Sequence, residues 1–383
     1  MARILLTLPV AWHELAQRFH HVARRLAARH ELVVLAPRPH GRLWRAGRLG
    51  EWLTPWSVEP LAARGRVVSV PPLPLYRRAP WATRWQWRRF PRRLAAAAAA
   101  LAPPGGYDVL WLADPLHAPL IDLVAHRRLV YEAVDDHAGF WPGPLQPAVR
   151  AAEEAACRRA DQVIATAEAL AERLVAWHTG VAVVGNGVEV AHFAAVGTLP
   201  PGPPPPGLAG WHGPSVGFYG ALGPWVDLAR VAALARAHPH VRFVLLGPAE
   251  ASLAAVAGLA NVLWVPPVPY EALPAWLAHV PVWLLPFHDT PLTRAVDPLK
   301  VHEYLAAGRR VVASPLPALA GLADVVALPS DAAGWLAALD AALAAGPLTA
   351  AERARLAPRL AERDWDALVA RLEACALGSL DPA

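Results

Sequence analysis

Residues 292–308 read LTRAVDPLKVHEYLAAG and directly follow an apolar run at 280–285 that is typical of a buried strand. Pro298 suits the first turn of a helix, because that turn leaves its amide hydrogens unpaired, and Asp297 is expected to be the N-cap. Gly308 predicts a left-handed end of the helix before another apolar run. The stretch therefore predicts a strand–helix–strand unit, the building block of parallel α/β domains.

Two charged side chains lie in the first turn of this predicted helix. Lys300 and Glu303 are three residues apart and should share one face. An ammonium beside a helix N-terminus favours an anion, and a neighbouring carboxylate can accept hydrogen bonds from vicinal hydroxyls such as those of a ribose. Lys300 is the only lysine in a chain with 36 basic residues, which indicates a need for a compact ammonium. A surface salt bridge between the two residues is the alternative.

The same alternation of apolar runs and amphipathic segments extends along the whole chain. The apolar runs lie at 3–8, 31–35, 66–70, 108–112, 128–134, 161–165, 181–184, 215–219, 241–246, 261–265, 280–285, 310–313 and 324–327. Proline removes the backbone donors that strands and helices need, so the proline-rich segment 196–213 is predicted to be a linker. We therefore expect a Rossmann-like domain at 1–195, a second one at 214–363, and a last helix at 364–380.

Composition limits the possible classes of protein. A chain of 383 residues with 55% hydrophobic and 17% charged residues can build two cores and is not disordered. It has two cysteines and no apolar run of membrane-spanning length, so we expect a cytoplasmic protein without a disulfide framework or a metal cluster. Its single methionine and 41 prolines fit a hot environment or, equally, a GC-rich genome.

Several further segments occur in a fixed order along the chain. These are the loop and helix Trp12-His13-Glu14-Leu15-Ala16-Gln17-Arg18-Phe19, the run Val130-Tyr131-Glu132-Ala133-Val134-Asp135-Asp136, the turn Gly185-Asn186-Gly187-Val188, and the strand and glycine turn Val216-Gly217-Phe218-Tyr219-Gly220. Together with 292–308 they resemble the family 4-like glycosyltransferases of the GT-B fold, of the bacterial polysaccharide and teichuronic-acid type. The resemblance covers about residues 3–375.

The resemblance implies two facing Rossmann-like, doubly wound parallel-sheet domains with a cleft between them. The first domain, completed by the helix at 364–380, would bind the acceptor, and the second would bind the nucleotide-sugar donor through Gly220, Lys300 and Glu303. The sequence departs from the family pattern at Ala295, where many members have a glutamate near the donor sugar. Thr293 or Arg294 is the candidate replacement. The glycine turn after Gly220 also lacks the cation that many members carry there.

Asp135 and Asp136 follow a predicted strand and are the candidate catalytic base, together with Lys300 for the leaving diphosphate. Adjacent side chains at a strand end point to opposite sides, so one of the two carboxylates is expected to act. The alternative is that they cap the following helix. His13 and Glu14 are weaker candidates on the acceptor side. The turn at Asn186 is expected to be structural and left-handed.

Arginine and tryptophan are concentrated at 76–93, and the first 195 residues carry a net charge of +8, with 24 basic and 16 acidic residues. This segment is first interpreted as a solvated helix face with tryptophan packed inward. Tryptophan and arginine also favour the interface of an anionic membrane, so peripheral binding at the inner face of the plasma membrane is the second interpretation, close behind the first. A nucleic-acid contact is the least favoured.

The function expected from these features is a hexosyltransferase reaction, from a UDP- or GDP-sugar to a polysaccharide or lipid-linked saccharide. No cofactor beyond the nucleotide-sugar co-substrate, and no metal, is expected, since the sequence lacks a Cys/His cluster and an Asp-x-Asp pair on the donor side. The alternatives are an epimerase or phosphorylase on the same fold, or an inactive membrane-associated scaffold.

Overall fold

The computed structural model describes residues 1–13, 15–38, 55–72, 80–197 and 202–378. The chain forms two compact units. The first unit comprises Met1–Gly185 and Leu368–Ala383, and the second comprises Asn186–Ala367. The division at Gly185 lies ahead of the expected boundary at residue 195, and the described part of the proline-rich segment belongs to the second unit, where Leu208 is buried in the core.

The first unit contains an eight-stranded sheet. Its strands are β1 (Arg3–Thr7), β2 (Glu31–Pro37), β3 (Ser57–Leu61), β4 (Gly65–Val70), β5 (Tyr107–Leu112), β6 (His126–Ala133), β7 (Gln162–Ala165) and β8 (Val181–Val183). They are ordered β3-β4-β2-β1-β5-β6-β7-β8, and all neighbours are parallel except β3 and β4. Strand β3 was not expected from the sequence, because Glu59 and Pro60 interrupt its apolar pattern. Proline is tolerated there because β3 lies at the edge of the sheet.

Helices cover this sheet. They are α1 (Arg18–Arg29), α2 (Pro80–Ala100), α3 (Gln146–Arg159) and α4 (Glu168–Leu174). Helix α2 begins at Pro80, so the described part of the arginine- and tryptophan-rich segment is helical. The end of the chain also contributes to this unit, because His30 Nε2 lies 2.8 Å from Glu373 Oε1.

The second unit contains a parallel six-stranded sheet. Its strands are β9 (Ser215–Tyr219), β10 (Arg242–Leu246), β11 (Val262–Val265), β12 (Val282–Leu285), β13 (Arg310–Ala313) and β14 (Val326–Ala327), in the order β11-β10-β9-β12-β13-β14. The order turns back at β9, whose neighbours are β10 and β12. In open α/β sheets, ligands bind beside the carboxyl ends of the strands at such a switch point.

The helices of the second unit include two that follow β12 directly. The set is α5 (Val190–Ala194), α6 (Leu228–Ala237), α7 (Leu273–His279), α8 (Pro291–Arg294), α9 (Leu299–Ala306), α10 (Ala332–Ala345), α11 (Ala350–Glu362) and α12 (Trp365–Leu377), the last of which continues into the first unit. No single helix in the described ranges is long and apolar enough to cross a membrane. The consecutive helices α10 and α11, with a bend of 112° between them, reach the necessary length and apolar composition only when they are taken together.

Candidate functional site

The carboxyl end of β9 brings two of the expected donor residues together. Gly220, with φ of 133°, directly follows this strand, and its amide donates to Leu246 O at 2.9 Å. A Cβ atom at Gly220 would overlap Lys300 Cε, so the lysine side chain lies directly over the glycine. A side chain at Gly247 would in turn overlap the Gly220 carbonyl. Lys300 is therefore held at the switch point of the sheet, where only glycine leaves room for it.

Glu303 lies one turn further along α9 and is buried, with 1% of its surface exposed. The Tyr219 hydroxyl donates to Glu303 Oε2 at 2.5 Å, whereas Oε1 has no hydrogen-bond partner among the described residues. Burial raises the pKa of Glu303 to about 7, although the Tyr219 hydrogen bond and the charge of Lys300 work to lower it. A surface salt bridge between Lys300 and Glu303 is therefore the wrong interpretation, because this carboxyl is not at the surface.

Aromatic rings fix the tyrosine that holds this carboxyl. The Tyr219 amide donates to the Tyr304 hydroxyl at 3.2 Å, and their ring centroids are 4.9 Å apart, edge to face. Trp283 stacks on Tyr304 at 5.0 Å, and a Cβ at Gly217 would lie 2.7 Å from the Trp283 ring. Tyr219 was not predicted to be a site residue, because the sequence pattern pointed to this strand only through its glycine turn. The available signal was its place as the last side chain before Gly220.

Asp297 has a different role from the one expected. Helix α9 begins at Leu299 with Pro298 in the N-cap position, so the prediction that Asp297 is the N-cap was wrong. Its Oδ2 instead accepts hydrogen bonds from the Asn186 amide at 2.7 Å and from Arg363 Nη1 at 2.8 Å. Burial works to raise the pKa of Asp297, but His302 and Arg363 bring it down to about 2. The ionised carboxylate ties two distant parts of the second unit, at Asn186 and Arg363, to the start of α9.

Asn186 takes part in the same network. Its side-chain amide donates to Asp297 O at 2.6 Å, and its carbonyl accepts from Arg363 at 3.0 Å. Its φ is not positive, so the expected left-handed conformation is wrong. The asparagine is structural through its hydrogen bonds, since it both donates to and accepts from groups that are distant in the sequence. Gly308, by contrast, has φ of 68° and confirms the expected left-handed end of α9.

The two candidates for the donor sugar precede this network. Thr293 is buried, and its hydroxyl donates to His288 O at 2.5 Å and pairs with Thr290 in a capping box at the start of α8. Arg294 is exposed and donates through Nε to Asp289 Oδ1 at 2.5 Å. Thr293 therefore holds the loop after β12 in place. The guanidinium of Arg294, in contrast, is accessible to solvent.

In the first unit, Asp135 and Asp136 differ in their surroundings. Asp136 is buried, with Oδ1 2.9 Å from Arg150 Nη2 and 3.8 Å from Arg173 Nη2. It occupies the N-cap position of the short 3-10 helix His137–Phe140 but makes no side-chain capping hydrogen bond. Asp135 is half-buried. Arg150 of α3 and Arg173 of α4 therefore hold Asp136 in place.

The remaining acceptor-side candidates are His13 and Glu14. His13 is exposed, and its Nε2 is 3.0 Å from Glu59 Oε2. Glu14 lies outside the described residues. The sequence analysis missed a buried ion pair nearby, in which Arg18 Nε donates to Glu132 Oε1 at 2.7 Å. A buried pair of this kind is held by its hydrogen bonds and fixes the start of α1 against β6.

Within the described ranges, no group of three or more His, Cys, Asp or Glu side chains is placed to hold a metal ion. Cys157 is buried and free, and burial raises the pKa of its thiol to about 12. This thiol is therefore neutral and unreactive at ordinary pH.

Comparison with known proteins gives matches in both halves of the chain. Residues 15–192 match Glycosyltransferase Family 4, and residues 213–352 match Glycosyl transferases group 1. TuaH of Bacillus subtilis (strain 168), assigned to teichuronic acid biosynthesis as a glycosyltransferase, is 27% identical over 227 residues. The aligned region is 54% of this chain and 55% of TuaH, so the chain spans about half the length of this relative.

Solved structures match over the full length. A UDP-forming α,α-trehalose-phosphate synthase from Burkholderia xenovorans has a TM-score of 0.73 at 15% identity, with 100% of both chains covered. HepE of Anabaena in complex with UDP and glucose has a TM-score of 0.64 at 16% identity, covering 99% of this chain and 100% of its own. At such low identity, these similarities establish the fold.

Proposed function

We propose that this chain, which belongs to the family 4-like glycosyltransferases of the GT-B fold, transfers a sugar from a UDP- or GDP-sugar to a polysaccharide or lipid-linked saccharide. The observation that carries this proposal is the position of Lys300 over Gly220, beside the buried carboxyl of Glu303. Ligands bind at the switch point of a parallel sheet. An ammonium there matches the diphosphate of a nucleoside diphosphate, and a carboxyl matches its ribose hydroxyls. The UDP-forming synthase with the same fold supports this donor class.

Lys300 is assigned to the diphosphate. It is the second residue of α9, where backbone amides without helical partners also favour an anion. The diphosphate gains negative charge as it leaves the sugar, so a preplaced ammonium stabilises the transition state more than the ground state. Arg294, with its accessible guanidinium, is the second cation proposed for the donor. With two cations and a helix terminus available, we propose that the reaction needs no metal ion.

Glu303 is assigned to the ribose. Tyr219 occupies Oε2 and thereby fixes the plane of the carboxyl, whereas Oε1 remains for a donor hydroxyl. A carboxylate accepts hydrogen bonds and cannot donate them, so the ionised form is the one that binds vicinal hydroxyls. Because this contact is similar in the ground and transition states, loss of the carboxylate should raise the donor KM more than it lowers kcat.

The acceptor is assigned to the first unit. Asp135 is proposed as the base that removes the proton of the acceptor hydroxyl, with His13 and Glu14 as further contacts. The teichuronic acid assignment of TuaH supports a saccharide acceptor of the cell envelope. The low cysteine content is in keeping with a cytoplasmic reaction, which would take place at the inner face of the plasma membrane.

Calorimetry with UDP and GDP tests the donor site. Lys300→Ala should weaken binding of the matching nucleotide by about 10- to 100-fold, as expected for a lost hydrogen bond to a charged group. Glu303→Gln should weaken it as well. Arg355→Ala removes an exposed cation of α11 and serves as the matched control, with no change expected. Wild-type affinity in folded Lys300→Ala and Glu303→Gln would place the donor site elsewhere.

A further inference from the structure

Helix α2 presents one charged and aromatic face to solvent. At about 100° per residue, its exposed large side chains fall within an arc of about 140°. These residues, called the Arg–Trp face below, are Trp81, Arg84, Trp85, Arg88, Arg89 and Arg92. The exposed fractions of Trp81 and Trp85 are 68% and 45%. The alternative in which tryptophan packs inward is therefore wrong for these two residues.

The opposite side of α2 is packed and fixes the orientation of the helix. Thr83, Gln86, Phe90 and Leu94 are buried, and the Phe90 ring lies 5.9 Å from His117 of the 3-10 helix Pro115–Asp122. Because these contacts hold one face against the first unit, the Arg–Trp face is held outward. The packing of α2 therefore leaves the Trp81 and Trp85 side chains exposed.

The Arg–Trp face is positively charged without internal compensation. The sequence has no Asp or Glu between Glu59 and Asp108, and α2 carries five arginines. No ion pair with a described residue reaches its four exposed arginines. The Arg89 guanidinium lies over the Trp85 ring at 5.6 Å from the centroid, which holds the cation beside the apolar surface.

We propose that the Arg–Trp face docks the first unit on an anionic lipid bilayer. Indole rings partition to the level of the headgroups, and guanidinium groups pair there with lipid phosphates. Single-stranded nucleic acid binds in a groove that follows its backbone. The exposed face of one helix is convex and offers no such groove, but it can lie on the flat surface of a bilayer. The face lies in the first unit and is independent of the donor site in the second.

Vesicle binding by the full chain tests this proposal. Vesicles of mixed phosphatidylglycerol and phosphatidylcholine are compared with vesicles of pure phosphatidylcholine in a sedimentation assay. The docking variant replaces four arginines with glutamine: Arg84, Arg88, Arg89 and Arg92. The matched control replaces four exposed arginines elsewhere in the first unit: Arg24, Arg66, Arg127 and Arg158. Arg93 is kept in both because it donates to Pro71 O at 2.7 Å.

Wild type should bind the anionic vesicles and not the neutral ones. The docking variant should lose about 10²–10³-fold in partition coefficient, since each cation near an anionic surface contributes about 1 kcal/mol. The control should stay close to wild type. The double variant Trp81→Ser/Trp85→Ser should also bind more weakly, and it keeps the test valid if the docking variant does not fold by circular dichroism.

Three results would overturn the proposal. The first is that wild type does not bind anionic vesicles at low salt. The second is that the control loses as much affinity as the docking variant, which would mean that net charge alone drives binding. The third is that wild type binds a labelled oligothymidine and the docking variant loses that binding, with no vesicle binding in either. Calorimetry with UDP reports separately on the donor site.

Discussion

Glu303→Gln would remove a buried titratable group from the second unit and keep its shape, including an oxygen for the Tyr219 hydroxyl. In wild type, burial raises the pKa of this carboxyl from 4.5 to about 7. The folded state therefore holds the proton more tightly than the unfolded state. Stability from this group is fully present below the unfolded pKa and is lost as pH rises through the folded pKa.

The size of the effect follows from these two pKa values. Between about pH 5 and about pH 8 the proton linkage of Glu303 should remove roughly 2–3 kcal/mol from the free energy of unfolding. Glutamine does not titrate, so the free energy of unfolding of the variant does not fall in this way as the pH rises. The stability of the variant relative to wild type should therefore be roughly 2–3 kcal/mol greater at about pH 8 than at about pH 5.

Urea unfolding of both proteins at the two pH values measures this difference. Every other group that titrates is common to both chains and cancels in the comparison. Glu172→Gln, at an exposed glutamate of α4, controls for the loss of one negative charge and should show little pH-dependent change. A difference between wild type and Glu303→Gln that does not vary with pH would refute the buried, pKa-shifted carboxyl.

Further predictions concern the glycine turn, the two aspartates and metal ions. Gly220→Ala should weaken UDP binding at least about tenfold, because the new Cβ displaces the Lys300 side chain. Gly321→Ala is the control and should leave UDP binding unchanged, because there is open space around Gly321. Equal effects of the two substitutions on UDP affinity would contradict the packing of Lys300 on Gly220. Asp135→Asn should lower turnover by about 10²–10⁴-fold, as expected for a lost general base. Asp136→Asn breaks the ion pair with Arg150 and should instead lower the free energy of unfolding. The reverse pattern would make Asp136 the base and Asp135 the structural residue. Turnover should survive EDTA, and complete loss restored only by Mg²⁺ or Mn²⁺ would rule out the proposed cation site.

The sequence alone determined the arrangement of strands and helices. Apolar runs located the parallel strands, because strands buried on both faces read as continuous apolar stretches. Gly308 marked the end of α9, since a residue with φ of 68° is tolerated with little strain when it has no Cβ. Strand β3 was missed because an edge strand with Glu59 and Pro60 has no such pattern.

Only the tertiary structure decided which side chains meet and in what environment. Gly220 and Lys300 are 80 positions apart, and they touch because β9 ends and α9 begins at the same switch point. The burial of Glu303, which raises its pKa to about 7, and its hydrogen bond with Tyr219 likewise depend on the packing of α9 against β9. Asp297 looked like a cap because local spacing reveals helix ends, whereas its partners Asn186 and Arg363 come from distant positions. Sequence patterns record local backbone preference, but solvation and charge depend on neighbours that only the fold supplies.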